Sequence, residues 1–356
     1  EALPQSSDGL SRGNYYGRGA EWERAVNVAV YDADGALLLQ QDAGVRVTGG
    51  ATRAQAQKSL RLYARKSYDA DAGTFALAVF GQTEADGSGA AVEEYNRLDL
   101  RSGGNDWAYT MLDDALMRRL AADGGLAPVG TAVPAAVYLN GSFYGFAWLQ
   151  PDYGAGDLAE MCGLTDKTQV EIVEGQEGSV GSETAGAAED YDAMYALALQ
   201  DLTVPANADA LEKELDVDNC LLYYALELYS NNDDWPANNY KLWRDADASG
   251  ADADNPYADG RWRFLFYDLD HAFNTFADTE DNFDRLLNGV YSPMLVSLLR
   301  NEDYRARFVN LFCDLLGTSL SADRADAAFA ALRGTIEPEM VWRETQDPGT
   351  FDASYR

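Results

Sequence analysis

Residues 231–240, Asn231-Asn232-Asp233-Asp234-Trp235-Pro236-Ala237-Asn238-Asn239-Tyr240, followed at 264–270 by Phe264-Leu265-Phe266-Tyr267-Asp268-Leu269-Asp270, carry the pattern on which the reading of this chain turns. Asp234 and Asn239 stand in an Asp-x-x-x-x-Asn spacing that runs into a strand pattern. A second strand pattern follows and ends on Asp268 and Asp270. Two residues apart on extended chain, these carboxylates lie on one side and can share a metal ion. Carboxylate and amide oxygens are hard ligands of the kind Mg²⁺ takes, with phosphates completing its shell. The order therefore points to phosphoryl transfer: a loop Asp beside the attacking hydroxyl, a loop Asn and a later Asp on the metal. Taken singly, Asp and Asn also serve helix ends and turns, and Pro236 reinforces a turn.

Working outward, Asp216 is placed to cap a helix in which Cys220, Tyr224 and Leu228 share a face, with Asn231-Asn232 ending it. The strands at Tyr240–Arg244 and Trp262–Tyr267 form a pair, and the acidic segment Asp245 to Asp259 reads as their solvated loop. Ser292 to Trp342 is helical, with Ser321 an expected N-cap. Upstream, Gly175 to Asp190 is rich in Gly, Ser, Glu and Ala and reads as a flexible linker.

The first half is strand-like. Ala25–Tyr31 is apolar and β-branched, and Asp32-Ala33-Asp34-Gly35 reads as a turn, since the remaining EF-hand ligands are missing. Further strands are expected at Gly44–Gly50, Ser59–Ala64 and Phe75–Phe80. Thr110–Ala122 is a helix, with Leu112, Leu116 and Leu120 on one face and Gly124-Gly125 as its stop. Asn140-Gly141 between apolar segments signals a tight hairpin. The whole reads as α+β, with a strand-rich N-terminal lobe over 1–175 and a helical C-terminal lobe over 176–356 that carries the Asp-x4-Asn loop.

With 356 residues and 47% apolar content, the chain can bury a sizeable core. A net charge of −32 argues against a nucleic-acid binder and opposes an anionic membrane surface. No apolar run reaches the roughly 18–20 residues of a membrane span. The chain begins at Glu1, without Met or signal peptide, so a trimmed or processed form is expected. Cys162, Cys220 and Cys313 are widely spaced, form no metal motif, and are expected to be buried small apolar residues. His271 is the only histidine, which excludes a histidine-cluster metal site, and no G-x-S-x-G elbow supports a hydrolase triad.

Lysine is scarce, and Lys58 opens the strand Lys58-Ser59-Leu60-Arg61-Leu62-Tyr63. Alternation puts it on the face of Leu60 and Leu62, where an ammonium needs an anionic partner such as a phosphate, or curls back to solvent. Gly49-Gly50-Ala51-Thr52-Arg53 lies just before it. Paired glycines allow close approach of a phosphate and Arg53 could clamp one, while an ordinary turn is the plainer reading.

The chain resembles the CotH family, atypical protein kinases named for spore coat protein H. The residues that carry the resemblance are Tyr16–Arg24, Val45–Arg53 running to Gln57-Lys58-Ser59, Leu139–Gly145, Asp234–Tyr240 and Tyr267–Phe273. It implies a divergent two-lobed kinase fold that uses ATP and Mg²⁺. Lys58 would contact the ATP phosphates, Asp234 would serve the acceptor hydroxyl, and Asn239 and Asp268 would hold metal with Asp270 as a further ligand. Arg53, Gly49 and Gly50 would lie on the nucleotide side. The expected acceptor is a protein Ser/Thr hydroxyl, and the expected setting bacterial and extracellular, at a cell surface or polysaccharide-associated assembly. Two departures stand out: Asp113-Asp114 where similar sequences often carry Arg-Asp, and Gln150 near where they often carry Glu.

Two other readings remain. One is a catalytically weak or inactive surface module of the same fold that binds a protein or glycan. The other is metal-dependent phosphohydrolysis by the Asp cluster, against which the shortage of histidine counts.

Overall fold

Apolar and β-branched residues alternate with polar ones from Arg24 onward, and this stretch forms β1 (Arg24–Tyr31), which returns through the Asp32–Gly35 turn into β2 (Leu37–Val47). In the computed structural model the described residues are 13–247, 254–274, 281–287 and 291–346. β2 continues antiparallel to β3 (Leu60–Tyr63); the short pair β4 (Phe75–Ala76) and β5 (Glu94–Tyr95) stands apart, and β6 (Arg97–Arg101) pairs with β3. After helix α1 (Asp113–Asp123), β7 (Val133–Leu139) and β8 (Ser142–Pro151) complete a six-stranded antiparallel sheet in the order β1-β2-β3-β6-β8-β7. The β7–β8 turn holds Asn140 at φ 51° and Gly141 at φ 80°, the two positive angles that a type I′ hairpin requires.

Helix α2 (Ala155–Cys162) leads into a second sheet. Its strands are β9 (Val170–Gln176), β10 (Ser179–Gly181), β11 (Tyr240–Asp245) and β12 (Arg263–Phe264), in the order β10-β9-β11-β12. Helices α3 (Ala187–Ala198), α4 (Pro205–Leu211) and α5 (Val217–Ser230) precede β11. After β12 come α6 (Asn282–Leu287), α7 (Pro293–Arg300), α8 (Glu302–Gly317) and α9 (Ala322–Gln346). The architecture is mixed α+β, strand-rich first and helix-rich after. None of the described helices is long and apolar enough to cross a membrane.

The local signals of the sequence map onto this closely. Asp216 caps α5 by accepting from the Asn219 amide, and Asn231 ends it in the left-handed conformation. Leu112, Leu116 and Leu120 are buried as expected. The helix itself starts at Asp113 rather than Thr110, because Asp106 accepts from the amides of Thr110, Leu112 and Asp113 and holds the preceding turn outside it. Ser321 directly precedes α9, but its hydroxyl donates to the Thr318 carbonyl.

Three expectations change. The 175–190 segment is a tight hairpin turning at Gly178 (φ 74°) and then the start of α3, so its small residues serve a turn rather than a flexible tether. Of the strand expected at 75–80, only Phe75–Ala76 pairs, with one further bond from the Leu77 amide to Glu93. Cys162 and Cys220 are buried, but Cys313 is exposed, because the buried stripe of α8 runs through Tyr304, Phe308 and Leu315. Within the expected acidic loop, residues 248–253 lie outside the described part of the chain.

The largest core places the candidate loop. Trp235, Tyr223, Tyr224, Phe264 and Phe266 are fully buried together. Tyr223 stacks on Phe264 with centroids 4.3 Å apart, and the Trp235 ring stands edge-on to Tyr223 at 5.8 Å. Such pairs add about 0.5–1.5 kcal/mol each beyond area burial. The residue after Asp234 is therefore anchored between α5 and β12.

Candidate active site

Asp234 stands on a loop held from below by Trp235 and from the side by Arg285. That arginine, on α6, donates to the carbonyls of Asp233 at 2.9 Å, Asn232 at 3.4 Å and Trp235. Asp233 pairs with His271 Nδ1 at 2.6 Å, which ties the loop to the segment after β12. The carboxylate of Asp234 accepts from Asn238 Nδ2 at 2.6 Å and from Asn239 Nδ2 at 3.1 Å. Asn239 Nδ2 also lies 3.4 Å from the Asp268 carbonyl. With its nitrogen engaged, the Asn239 amide oxygen is the atom left to meet a cation. Asn239 (φ 58°) and Asp268 (φ 60°) both adopt the left-handed backbone conformation, which Asn and Asp tolerate better than other side chains.

The segment 266–270 is pinned largely by the first half of the chain. Tyr153 donates its hydroxyl to the Phe266 carbonyl at 3.3 Å. The Leu269 amide donates to Asp114 Oδ1 at 3.0 Å, and the Asn105 amide to Asp270 Oδ2 at 2.7 Å. Gly104 must be glycine: at φ 63°, a Cβ there would collide with Asp270 Oδ2 and Arg101 Nη2. The turn 104–108 thereby wraps the Asp270 carboxylate.

The cation facing these acids is Arg101, at the end of β6. Its Nη2 donates to Asp268 Oδ1 and, at 2.8 Å, to Asp270 Oδ2, while Nε lies 3.9 Å from Asp114 Oδ2. Asp114 is also paired with Arg118 Nε at 2.8 Å. Burial disfavours the charged form of Asp114, but Arg118, Arg101 and the Leu269 amide outweigh it and hold its carboxyl at about 2. Asp270 goes the other way: burial first, and the adjacent Asp268 second, push it up to about 7 against the pull of Arg101. Asp268 is the most open of the group, with a third of its side chain exposed, whereas Asp270 is almost wholly buried.

Sequence reasoning did not single out Arg101. The signal was present in Arg97-Leu98-Asp99-Leu100-Arg101, whose strict alternation marks one charged face. The register Arg61↔Asp99 puts Arg101 on the face of Arg61, opposite the one that alternation assigns to Lys58. Lys58 does not reach the acids. Its ammonium donates to the Gln55 carbonyl and sits 4.4 Å over the Tyr15 ring, and it pairs with no carboxylate among the described residues. Gln55 in turn donates to Gly104 O at 2.7 Å, so Lys58 stands behind the wall of the site rather than in it. Arg53 is buried, with its guanidinium bound to the carbonyls of Gly49 (2.6 Å), Tyr15 (2.9 Å) and Gly17 (3.0 Å), so the Gly49–Gly50 turn is closed against the N-terminal segment. The structure thus gathers Asp234, Asn239, Asp268 and Asp270, and leaves Lys58, Arg53, Gly49 and Gly50 outside their hydrogen-bond network.

Both departures noted in the sequence have places here. Asp114 braces the Asp268 segment, and Gln150 is buried on β8 opposite Asp99. An open cleft of about 390 Å³ adjoins the loop, lined by Glu174, Gln176, Ser179, Asn238, Asn239 and Tyr267. Among the described residues no three His, Cys, Asp or Glu side chains are grouped to hold a metal by themselves. Two carboxylates and an amide oxygen nevertheless fit Mg²⁺, which keeps waters and takes phosphate oxygens to complete its shell.

A family model, described as CotH kinase protein, matches residues 45–355, nearly the whole chain. A search among curated proteins found no match. The chain belongs to the CotH family.

Proposed function

Starting from that membership, we propose that the chain is an atypical protein kinase that transfers the γ-phosphoryl group of ATP to a protein Ser/Thr hydroxyl with Mg²⁺. In this reading the six-stranded sheet and the helical half act as the two lobes of a divergent kinase fold, over 1–175 and 176–356. The single observation that carries the proposal is the chain of contacts that links Asp234 and Asn239 from the loop before β11, Asp268 and Asp270 from beyond β12, and Arg101 from β6. Asp234, positioned by Asn238 and Asn239, orients the acceptor hydroxyl and takes its proton. Asn239 and Asp268, with Asp270, hold Mg²⁺, which would offset charge on the transferring phosphates. Arg101 supplies the phosphate-facing cation, the part sequence reasoning assigned to Lys58. The cleft beside Asn239 offers room for the rest of the nucleotide. The acidic surface favours a basic acceptor protein over nucleic acid.

Transfer of label from γ-labelled ATP to a basic Ser/Thr protein, or to the chain itself, tests this. Transfer is expected from the wild type and its loss from Asp234→Ala and Asp268→Ala. Absence of transfer together with absence of any nucleotide-induced thermal shift would refute it.

A further inference from the structure

The Arg101 guanidinium sits on the carboxylates that the phosphotransfer reading assigns to a metal ion. One nitrogen, Nη2, bridges Asp268 Oδ1 and Asp270 Oδ2, so both acids share this positive partner from the other sheet. The two acids are not equally fixed. Asp270 also accepts from the Asn105 amide at 2.7 Å and from Asn105 Nδ2 at 3.4 Å. Among the described residues the Asp268 carboxylate has no second such donor, and it is the one open to solvent. Arg101 is itself incompletely satisfied, because its buried Nε has no hydrogen-bond partner among the described residues and stands 3.9 Å from Asp114. This pose can be left for one with more acceptors. A triphosphate offers several oxygens to a guanidinium, and an Arg–phosphate contact is of the strong, charge-assisted kind.

A divalent cation placed on Asp268 with Arg101 still in position would meet a like charge across a few ångströms in a partly buried site, where repulsion is poorly screened. We propose that Arg101 is an internal counter-cation for the metal site: it covers Asp268 while no nucleotide is bound, and turns to the phosphates when one arrives. Metal and nucleotide then bind cooperatively, each strengthening the other by the same factor, as linkage requires. The inference rests on the phosphotransfer reading and adds to it an order of events. Asp114 supports the exchange by keeping the Arg101 stem in reach of both positions, and Arg118 keeps Asp114 charged while it does so.

The test is Mn²⁺ binding, followed by the loss of the free-ion electron paramagnetic signal, with and without a non-hydrolysable ATP analogue. Wild type is expected to bind Mn²⁺ weakly alone and at least about tenfold more tightly with the analogue. Arg101→Gln is expected to bind Mn²⁺ alone at least about tenfold more tightly than wild type, with the analogue improving it by a smaller factor than in wild type. Arg101→Met, which keeps the packing of the stem, replaces the glutamine variant if that one does not fold, with the same outcomes expected. Unchanged or weaker Mn²⁺ binding by the folded variant, in a protein whose wild type binds the analogue with Mn²⁺, overturns the counter-cation and leaves the kinase reading standing. A wild type that binds neither Mn²⁺ nor the analogue, singly or together, overturns both.

Discussion

Lys58 just precedes β3 and Arg101 ends β6, the adjacent strand, yet their surroundings could hardly differ more. The Lys58 ammonium meets a backbone carbonyl and a tyrosine ring. The Arg101 guanidinium meets Asp268 and Asp270, with Asp114 just beyond. What separates them is position: Lys58 lies before the first paired residue of β3, whereas Arg101 closes β6 on the face of Arg61 and Asp99 and there meets the acids of the second half. A basic residue followed by apolar ones is thus no guide to which cation serves a site across the molecule. The face must be known first.

Removing each of these side chains in turn and measuring phosphoryl transfer separates their roles. Asp234→Ala is expected to cost on the order of 10²–10⁴-fold, as for a lost general base. Arg101→Gln is expected to cost roughly 10²-fold or more, the scale of a missing donor to a developing oxyanion. Lys58→Gln should cost under about fivefold, close to 1 kcal/mol. A reversal of the last two would return the phosphate-binding role to Lys58.

Stability gives the next contrast. Asp114→Ala leaves Arg118 and the Leu269 amide without their buried acceptor, and chemical denaturation is expected to show a loss of about 3–5 kcal/mol. Lys58→Ala, which breaks no ion pair, should cost about 1 kcal/mol or less. Equal losses would mean that the Asp114 network is not the brace described above.

A smaller effect is expected under the loop. Glu227 on α5 is fully buried, and burial pushes its carboxyl from 4.5 up to about 8 against the opposing pull of Asn232, Tyr223 and Arg285. The folded chain therefore keeps a proton that the unfolded chain gives up. The stability this provides is complete below about 4.5 and is lost as pH rises through about 8. Glu227→Gln should accordingly melt higher than wild type near about pH 9, by on the order of 1–3 kcal/mol, and almost equally near about pH 5. A constant offset at both values would show that the charge of Glu227 is not what matters.

Much of the fold was legible because its signals are local. Asp216 before an apolar helix, Asn140-Gly141 between strands, and the leucine spacing of α1 each specify their structure within a few residues. The Asp-x4-Asn loop and the acids after β12 were legible for the same reason, since spacing and strand order fix them. The stretch at 175–190 was misread because glycine and serine suit a tight hairpin as well as a loose tether. Arg101 and Arg285 were not singled out. Their partners lie about 50 to 170 residues away in the chain, and only the packing of two sheets and α6 brings them there.

The phosphotransfer reading requires a cation from the first half and acids from the second to form one nucleotide–metal site. Calorimetric titration of wild type, Arg101→Gln and Asp268→Asn with a non-hydrolysable ATP analogue, with and without Mg²⁺, tests it most directly. The account predicts Mg²⁺-dependent binding to wild type, weakened at least about tenfold by either substitution. Equal affinity in all three proteins, or none in the wild type, would contradict it.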